Sequence, residues 1–415
     1  MSLQGPILIV GGQPGDGLMQ AFTNAGAFPV IETGWRDARR GVDDIKPSAI
    51  VAAEPGAADL AAAQALSRRI AGLVPFVPLI LRLRADEPSP LPDALPVADD
   101  APVERLIARL SSALRVRALH ATVIARACTL KAERNIIAEL PGDDPLDAAT
   151  VLVVGRGRNH PTLSVAIGER MGVMGALSVD AAARCLYARE IDGVVIGDGL
   201  QASSVDAFLA LLAEDSRFRE LPVAMLSAGD GSEPLPNLVR ARDPLVLVTR
   251  ALPLIRLRAL EGALKRLLHS IESKGMLDPR TGLLNVEAFG RALDLAIMDA
   301  GERGVGLSLA RFSFEQQIDR RTSSDAARLV SRLVRDTDFA CQQDDGSILF
   351  VFAEADLKAA HVAARRLASV LKHTMLQPGH DRPQVIPAVT LATLKPSDSM
   401  LTLVARVAPR PVAAA

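Results

Sequence analysis

Asp344-Asp345-Gly346-Ser347-Ile348 decides how the last third of this chain is read. Asp345-Gly346 is a strong two-residue turn signal, because glycine reaches the left-handed conformation that such turns need. Behind it, Ile348–Phe352 (ILFVF) is an apolar run of strand length, so a β-hairpin is expected here. Five residues on the N-terminal side separate this turn from Arg335-Asp336-Thr337-Asp338. Further upstream lie a second strand-length run, Gly306–Phe312 (GLSLARF), and the stretch Asp278-Pro279-Arg280-Thr281-Gly282-Leu283-Leu284-Asn285, with Phe289 beyond it. The hairpin needs no ligand to fold. The Arg335/Asp338 pair is different, because no folding requirement calls for it.

The chain has 415 residues, too many for one compact domain, and two to four domains are expected. Apolar residues make up 49% and aromatics only 3%, which favours aliphatic α/β packing. The formal net charge of −1 supplies no global field toward nucleic acid or membrane surfaces. Cys128, Cys185 and Cys341 are scattered with no C-x-x-C pair, which argues against a zinc site or a disulfide framework. The opening MSLQGPILIV lacks a basic region followed by a long apolar run, so no signal peptide is read there. The longest apolar stretches are of strand length or broken by Arg, Asp and Gly, so no membrane insertion is expected. A reducing cytoplasm is the expected location.

Working back toward the N-terminus, two stretches alternate short apolar runs with helical segments. In the first, Pro6–Val10, Ser48–Ala53 and Phe76–Leu81 read as strands buried on both faces of a parallel sheet, with helices at Gly17–Ala25 and Leu60–Ala71. A long amphipathic helix then runs from Val103 toward Leu140, and Pro141-Gly142-Asp143-Asp144-Pro145 breaks it. The second stretch repeats the programme at Thr150–Val154, Gly193–Ile196 and Leu221–Ser227, closing on an amphipathic segment around Val246–Leu268. Each is expected to be a doubly wound α/β domain. Leu257, Leu260, Leu264, Leu267, Leu268 and Ile271 give Arg256–Lys274 a near-heptad spacing. Pairing with a twin helix in a dimer and plain packing on its own sheet both fit that spacing. The loops Gly11–Gly17 and Gly155-Arg156-Gly157-Arg158 are incomplete as phosphate or dinucleotide fingerprints, and read as strand-to-helix turns. The tail Arg406–Ala415 has no periodicity and is expected to be disordered.

In order and spacing, the D-P-x-T-G-L-x-N element at Asp278, the R-x-x-D at Arg335 and the hairpin at Asp344 resemble the diguanylate cyclase (GGDEF) family. The two preceding stretches resemble response-regulator receiver domains. The whole arrangement is similar to receiver–receiver–GGDEF response regulators of the PleD type, in a degenerate, PopA-like form. The resemblance implies flavodoxin-like receiver domains at 1–140 and 146–270, and an α+β, nucleotidyl-cyclase-like GGDEF domain at 275–407. It also implies that the reaction is lost. Arg311 stands where the family has a magnesium-binding Asp, and Asp344, Asp345, Gly346 and Ser347 replace the signature's two glycines and two acids. A cation at the metal position and two carboxylates near the triphosphate oppose both substrates. No catalytic residue, metal or cofactor is therefore expected.

The family's second site, which binds cyclic di-GMP, is carried over onto Arg335, Asp338 and Arg366, with Arg365 beside the last. An arginine fork matches the O6/N7 edge of guanine and also reaches phosphate, while an Asp accepts from guanine N–H groups. In the receiver-like stretches the acidic clusters for magnesium are missing: the first strands end in Gly11-Gly12 and Gly155-Arg156, the third in Ala53-Glu54 and Gly197-Asp198. Asp198 is the residue nearest to a phosphoacceptor, and Ser227 fits the family's Ser/Thr switch position. The function so implied is a non-catalytic cyclic di-GMP effector or adaptor. It would be a homodimer through its receiver domains and would relay the signal to protein partners, at the cell pole, in cell-cycle control and regulated proteolysis. A weakly active diguanylate cyclase and a ligand-free dimeric scaffold are the alternatives.

Overall fold

The computed structural model describes residues 3, 5–12, 17–84, 87–134, 144–227, 235–273, 275–303, 306–314, 320–335, 338–353, 355–374 and 387–408. The expected break at 141–143, residues 13–16 of the first glycine-rich loop, Asp336, Thr337 and the tail from 409 lie outside them. The chain divides into two compact units. One comprises 1–125 with 141–264, the other 126–140 with 265–415.

The first unit holds both doubly wound stretches. Its elements run β1 (Ile7–Val10), α1 (Leu18–Asn24), β2 (Val30–Thr33), α2 (Ala38–Ile45), β3 (Ala49–Ala52), α3 (Leu60–Ala71), β4 (Leu79–Leu83), β5 (Leu95–Ala98) and α4 (Val103–Arg134). The second half repeats this as β6 (Thr150–Val154), α5 (His160–Gly168), β7 (Gly172–Ala176), α6 (Val179–Ala188), β8 (Gly193–Ile196), α7 (Ala202–Glu214), β9 (Val223–Leu226), β10 (Leu238–Ala241) and α8 (Pro244–Glu272). Both sheets are parallel, ordered β2-β1-β3-β4-β5 and β7-β6-β8-β9-β10. That is the flavodoxin-like order 2-1-3-4-5. Strand residues alternate between faces: Leu8, Val10, Ile50 and Ala52 meet α2 and α3, while Ile7, Ile9 and Val51 look the other way.

That other face is shared. Ile7, Val51 and Ile80 of the first half join Val151, Val153 and Val195 of the second in a single core, closed by Leu106 and Leu110 of α4 and Leu247 and Ala251 of α8. Two arginines cross reciprocally within it. Each is the seventh residue of its helix, counting from Val103 and from Pro244. Arg109, 2% exposed, donates to the carbonyls of Pro236 (3.1 and 2.8 Å) and Leu238 (2.9 Å) in the second half, and to Pro96 O in its own. Arg250 donates to the carbonyls of Glu87 (3.0 and 2.8 Å) and Arg84 (2.5 Å) in the first half. Burial pushes the Arg109 guanidinium down to about 9, with the charge of Arg105 adding to it. The two halves behave as an internal pair.

Two expectations change here. The segment around Val246–Leu268 runs on into the connection as one continuous helix, α8, which ends at Glu272 and passes through Pro253. Leu264, Leu267 and Ile271 are buried within the chain. The fourth strand of the first sheet also starts later than the expected Phe76, at Leu79.

The second unit continues with α9 (Val286–Arg303), β11 (Leu307–Phe314), α10 (Arg320–Ser331), β12 (Phe339–Gln342), β13 (Ile348–Ala353), α11 (Leu357–Thr374), β14 (Pro387–Thr393) and α12 (Met400–Arg406). The four strands form an antiparallel sheet in the order β12-β13-β11-β14. Ala310, Phe312, Phe350 and Phe352 pack against α10 and α11 on one face, while Leu307, Leu309, Leu349 and Val351 meet α9 and α12 on the other. The Asp278–Asn285 element ties the end of α8 to this sheet. Ser270 Oγ donates to Leu277 O (2.5 Å), Asn285 Nδ2 to Gly275 O (2.6 Å), and Leu284 N to Ala340 O (3.0 Å).

Candidate functional site

Arg335 and Asp338 come together at the turn that leads from α10 into β12. The Asp338 N–H donates to Arg335 O at 3.0 Å, which closes the turn. Asp338 Oδ1 then accepts the Ala353 N–H at 3.0 Å, fixing the carboxylate against the end of β13. Its Oδ2 has no hydrogen-bond partner among the described residues. Burial raises the Asp338 carboxyl above the usual aspartate value, outweighing the Ala353 N–H and the nearby Arg335 charge. Arg335 is exposed. Arg365 and Arg366 are exposed on α11, which lies beside α10 on the same face of the sheet. No hydrogen bond or ion pair joins Arg366 to Arg335 or Asp338 among the described residues. The arrangement is one carboxylate held in place at the turn with Arg335, with two further exposed guanidinium groups on α11. Such a set suits a planar ligand carrying N–H donors, carbonyl acceptors and phosphate.

The hairpin differs from the two-residue turn expected. Gly346 N donates to Gln343 O (2.9 Å) and Gln343 N to Ser347 O (2.8 Å), so Asp344, Asp345 and Gly346 form a three-residue loop. Asp344-Asp345 occupy the turn and Gly346, at φ +80°, takes the left-handed position after it. A Cβ there would also lie 2.9 Å from Ser323 Oγ. Ser323 Oγ donates to Gly346 O (3.2 Å) and accepts from Gln342 Nε2 (2.6 Å), bracing the loop against α10.

Arg311 sits in mid-strand between Leu349 and Thr390, with its side chain 11% exposed. Its Nη2 pairs with Asp345 Oδ2, while Asp345 Oδ1 accepts from Ser347 N (3.0 Å) and Ser347 Oγ (2.6 Å). The Arg311 and Asp345 replacements are partners, and each neutralises the other. Burial raises the Asp345 carboxyl, but the Ser347 donors and the Arg311 charge outweigh it and hold the group below the ordinary range. A depressed carboxyl contributes stability that is present above its unfolded value of ~4 and is lost as pH falls through the lower folded value. The thermal stability of the second unit is therefore expected to fall on acidification below about pH 4. The Asp345→Asn variant should show less of that dependence when wild type and variant are titrated side by side.

Asp198 follows β8, as expected, but its carboxylate is engaged. It accepts from Asn159 N (3.2 Å) and Asn159 Nδ2 (3.4 Å) at the start of α5. It lies so close to Gly157 that a Cβ there would stand 2.3 Å from Asp198 Cγ. Ser227 Oγ accepts from Arg240 Nη1 (3.1 Å), and Glu54 pairs with Arg84 (3.2 Å). No group of three His, Cys, Asp or Glu side chains that could hold a metal occurs among the described residues. Cys341 is buried, and burial pushes its thiol up to about 12. No helix among the described residues is long and apolar enough to cross a membrane.

No protein-family model matches the chain, and no curated protein does. Over about a third of its length the chain is similar to solved GGDEF domains. The coiled coil and GGDEF domain of DgcB from Caulobacter crescentus, solved in complex with c-di-GMP, matches at 18% identity and a TM-score of 0.30, over 35% of this chain and 82% of that one. The GGDEF domain of FimX from Pseudomonas aeruginosa matches at 20% identity and 0.28, over 32% and 88%. Diguanylate cyclase SiaD from the same organism, solved with its activator SiaC, matches at 15% and 0.29, over 34% and 59%.

Proposed function

We propose that this protein is a non-catalytic cyclic di-GMP effector that binds the messenger through Arg335, Asp338 and Arg366 and relays its presence to protein partners. The observation that carries this reading is the turn itself. Asp338 is pinned by the Ala353 N–H, with its second oxygen unpaired among the described residues, beside the exposed Arg335 whose charge acts on it. Folding gains little from leaving a half-buried carboxylate oxygen unsatisfied, whereas a guanine edge would satisfy it. The lost reaction is supported by the Arg311–Asp345–Ser347 network, which fills with its own charges the place where the family holds metal. In this reading the two flavodoxin-like halves are degenerate receiver domains, as in PleD-type regulators. Any homodimer they make uses faces other than the one they share internally, and recruitment at the cell pole for regulated proteolysis is the output.

Calorimetric titration of the full chain with cyclic di-GMP tests it. Binding is expected with and without a chelator, since the site uses side-chain forks and no metal. A strict magnesium requirement would move the ligand to the hairpin. Incubation with GTP and Mg²⁺ or Mn²⁺ should yield no product. Product lost on changing Asp344 or Asp345 would establish the cyclase alternative instead.

A further inference from the structure

We propose that the exposed face of α11 docks an acidic, amphipathic segment of a partner protein. This names the class of partner for the effector described above and rests on that reading. In Leu357–Thr374 the sequence is LKAAHVAARRLASVLKHT, which contains Lys358, His361, Arg365, Arg366, Lys372 and His373 and no Asp or Glu. The chain as a whole carries 47 Lys and Arg against 48 Asp and Glu, so this segregation is local. The buried stripe Ala360, Ala364, Leu367 and Leu371 fixes which side faces the sheet. Lys358, His361, Arg365 and Arg366 are left on the outside. The side chains of these four make no ion pair or hydrogen bond with any described residue. Elsewhere the same fold places acids beside its bases, as with Glu287 and Arg291 on α9 (3.0 Å). Asp356, just before α11, is used in capping the helix, its Oδ1 accepting the Ala359 N–H at 2.7 Å.

Lys358, Arg365 and Arg366 have no Asp or Glu within the helix to pair with at i, i+3 or i, i+4. An external anion would supply the missing counter-charge. The face also carries apolar side chains between its cations: Leu357 is 54% exposed and Val362 50%. An amphipathic helix whose polar flank is acidic matches both features, the apolar residues by burial and the cations by charge. A nucleic acid matches less well. α11 has no Phe, Tyr or Trp on which bases could stack, and an extended polyanion would leave Val362 in water. Arg366 belongs to this face and to the messenger site, so ligand and partner meet at one side chain.

The test is fluorescence anisotropy of a labelled synthetic helix built from Glu and Leu at amphipathic spacing, titrated with the full-length protein. Saturable binding is expected, weakened about tenfold or more by the Lys358→Glu/His361→Glu pair and several-fold by Val362→Asp. These residues are exposed and lie outside the proposed messenger site, so cyclic di-GMP affinity measured on the same variants should stay within a few-fold. No binding of the peptide by wild type, or binding undiminished by the charge reversals, overturns the proposal. Equal binding of a Glu/Ser peptide or of single-stranded DNA also overturns it, because the face would then attract any polyanion. Should peptide binding hold while cyclic di-GMP fails to bind at all, the docking face stands and the effector reading falls.

Discussion

Replacing Arg335 by Ala is expected to weaken cyclic di-GMP binding by roughly ten- to a hundred-fold, or about 1–3 kcal/mol. The exposed guanidinium makes no hydrogen bond or ion pair with a described residue and acts on the Asp338 carboxyl only through its field, so the loss should appear mainly in affinity and little in stability. Arg335→Lys should be nearly as damaging, since a point charge cannot make two parallel bonds to a guanine edge. A Lys variant that binds like wild type would reduce the arginine to a source of field. Asp338 adds a pH signature. Burial raises its carboxyl, so the acceptor is protonated earlier on acidification than an ordinary aspartate would be. Affinity should therefore fall as pH drops through that raised value, and Asp338→Asn should be weaker at neutral pH and flatter with pH. Isothermal titrations across acidic to neutral pH separate these outcomes.

The second large effect concerns the internal pair. Arg109→Ala would strand the carbonyls of Pro96, Pro236 and Leu238 in a dry core. Buried hydrogen bonds to a charged group contribute about 1.5–3 kcal/mol each, and partial relaxation should leave a net loss of about 3–5 kcal/mol. Arg109→Met keeps much of the stem's packing and should still lose most of this, because packing is not what the guanidinium supplies. The chain's single tryptophan, Trp35, is buried in the first unit, so its fluorescence reports that unit alone in urea. An unchanged midpoint would mean that water satisfies those carbonyls. Cyclic di-GMP affinity should be unaffected in either variant, since Arg335, Asp338 and Arg366 lie in the other unit.

Much of this architecture is legible in the sequence where apolar runs are short and bounded by turn residues. Thr150–Val154 and Gly193–Ile196 form strands with the expected limits, and Leu60–Ala71 the expected helix. Val30–Thr33 and Leu95–Ala98 escape such a reading. The first is an edge strand with Glu32 in it, and the second contains Pro96. Pro253 would normally break a helix, yet α8 runs through it under tertiary packing. At the candidate site, the R-x-x-D spacing was enough to place Arg335 and Asp338 at one turn. The bond from Ala353 to Asp338 and the pairing of Arg311 with Asp345 were not legible, because both depend on strand register. The three-residue loop was likewise hidden, since Asp345-Gly346 fits either turn and only the position of Gly346 in the ladder decides between them.

The reciprocal arginines make the two flavodoxin-like halves inseparable in heredity as well as in space. A shorter gene product ending near residue 143 would keep Arg109 but lose the Pro236 and Leu238 carbonyls that it serves. One beginning near residue 144 would carry Arg250 without Glu87 and Arg84. Neither half can be shuffled into another protein without opening the apolar face they share, and the arginine set in it, to water. The pair is thus a single module for recombination, even though its topology reads as two.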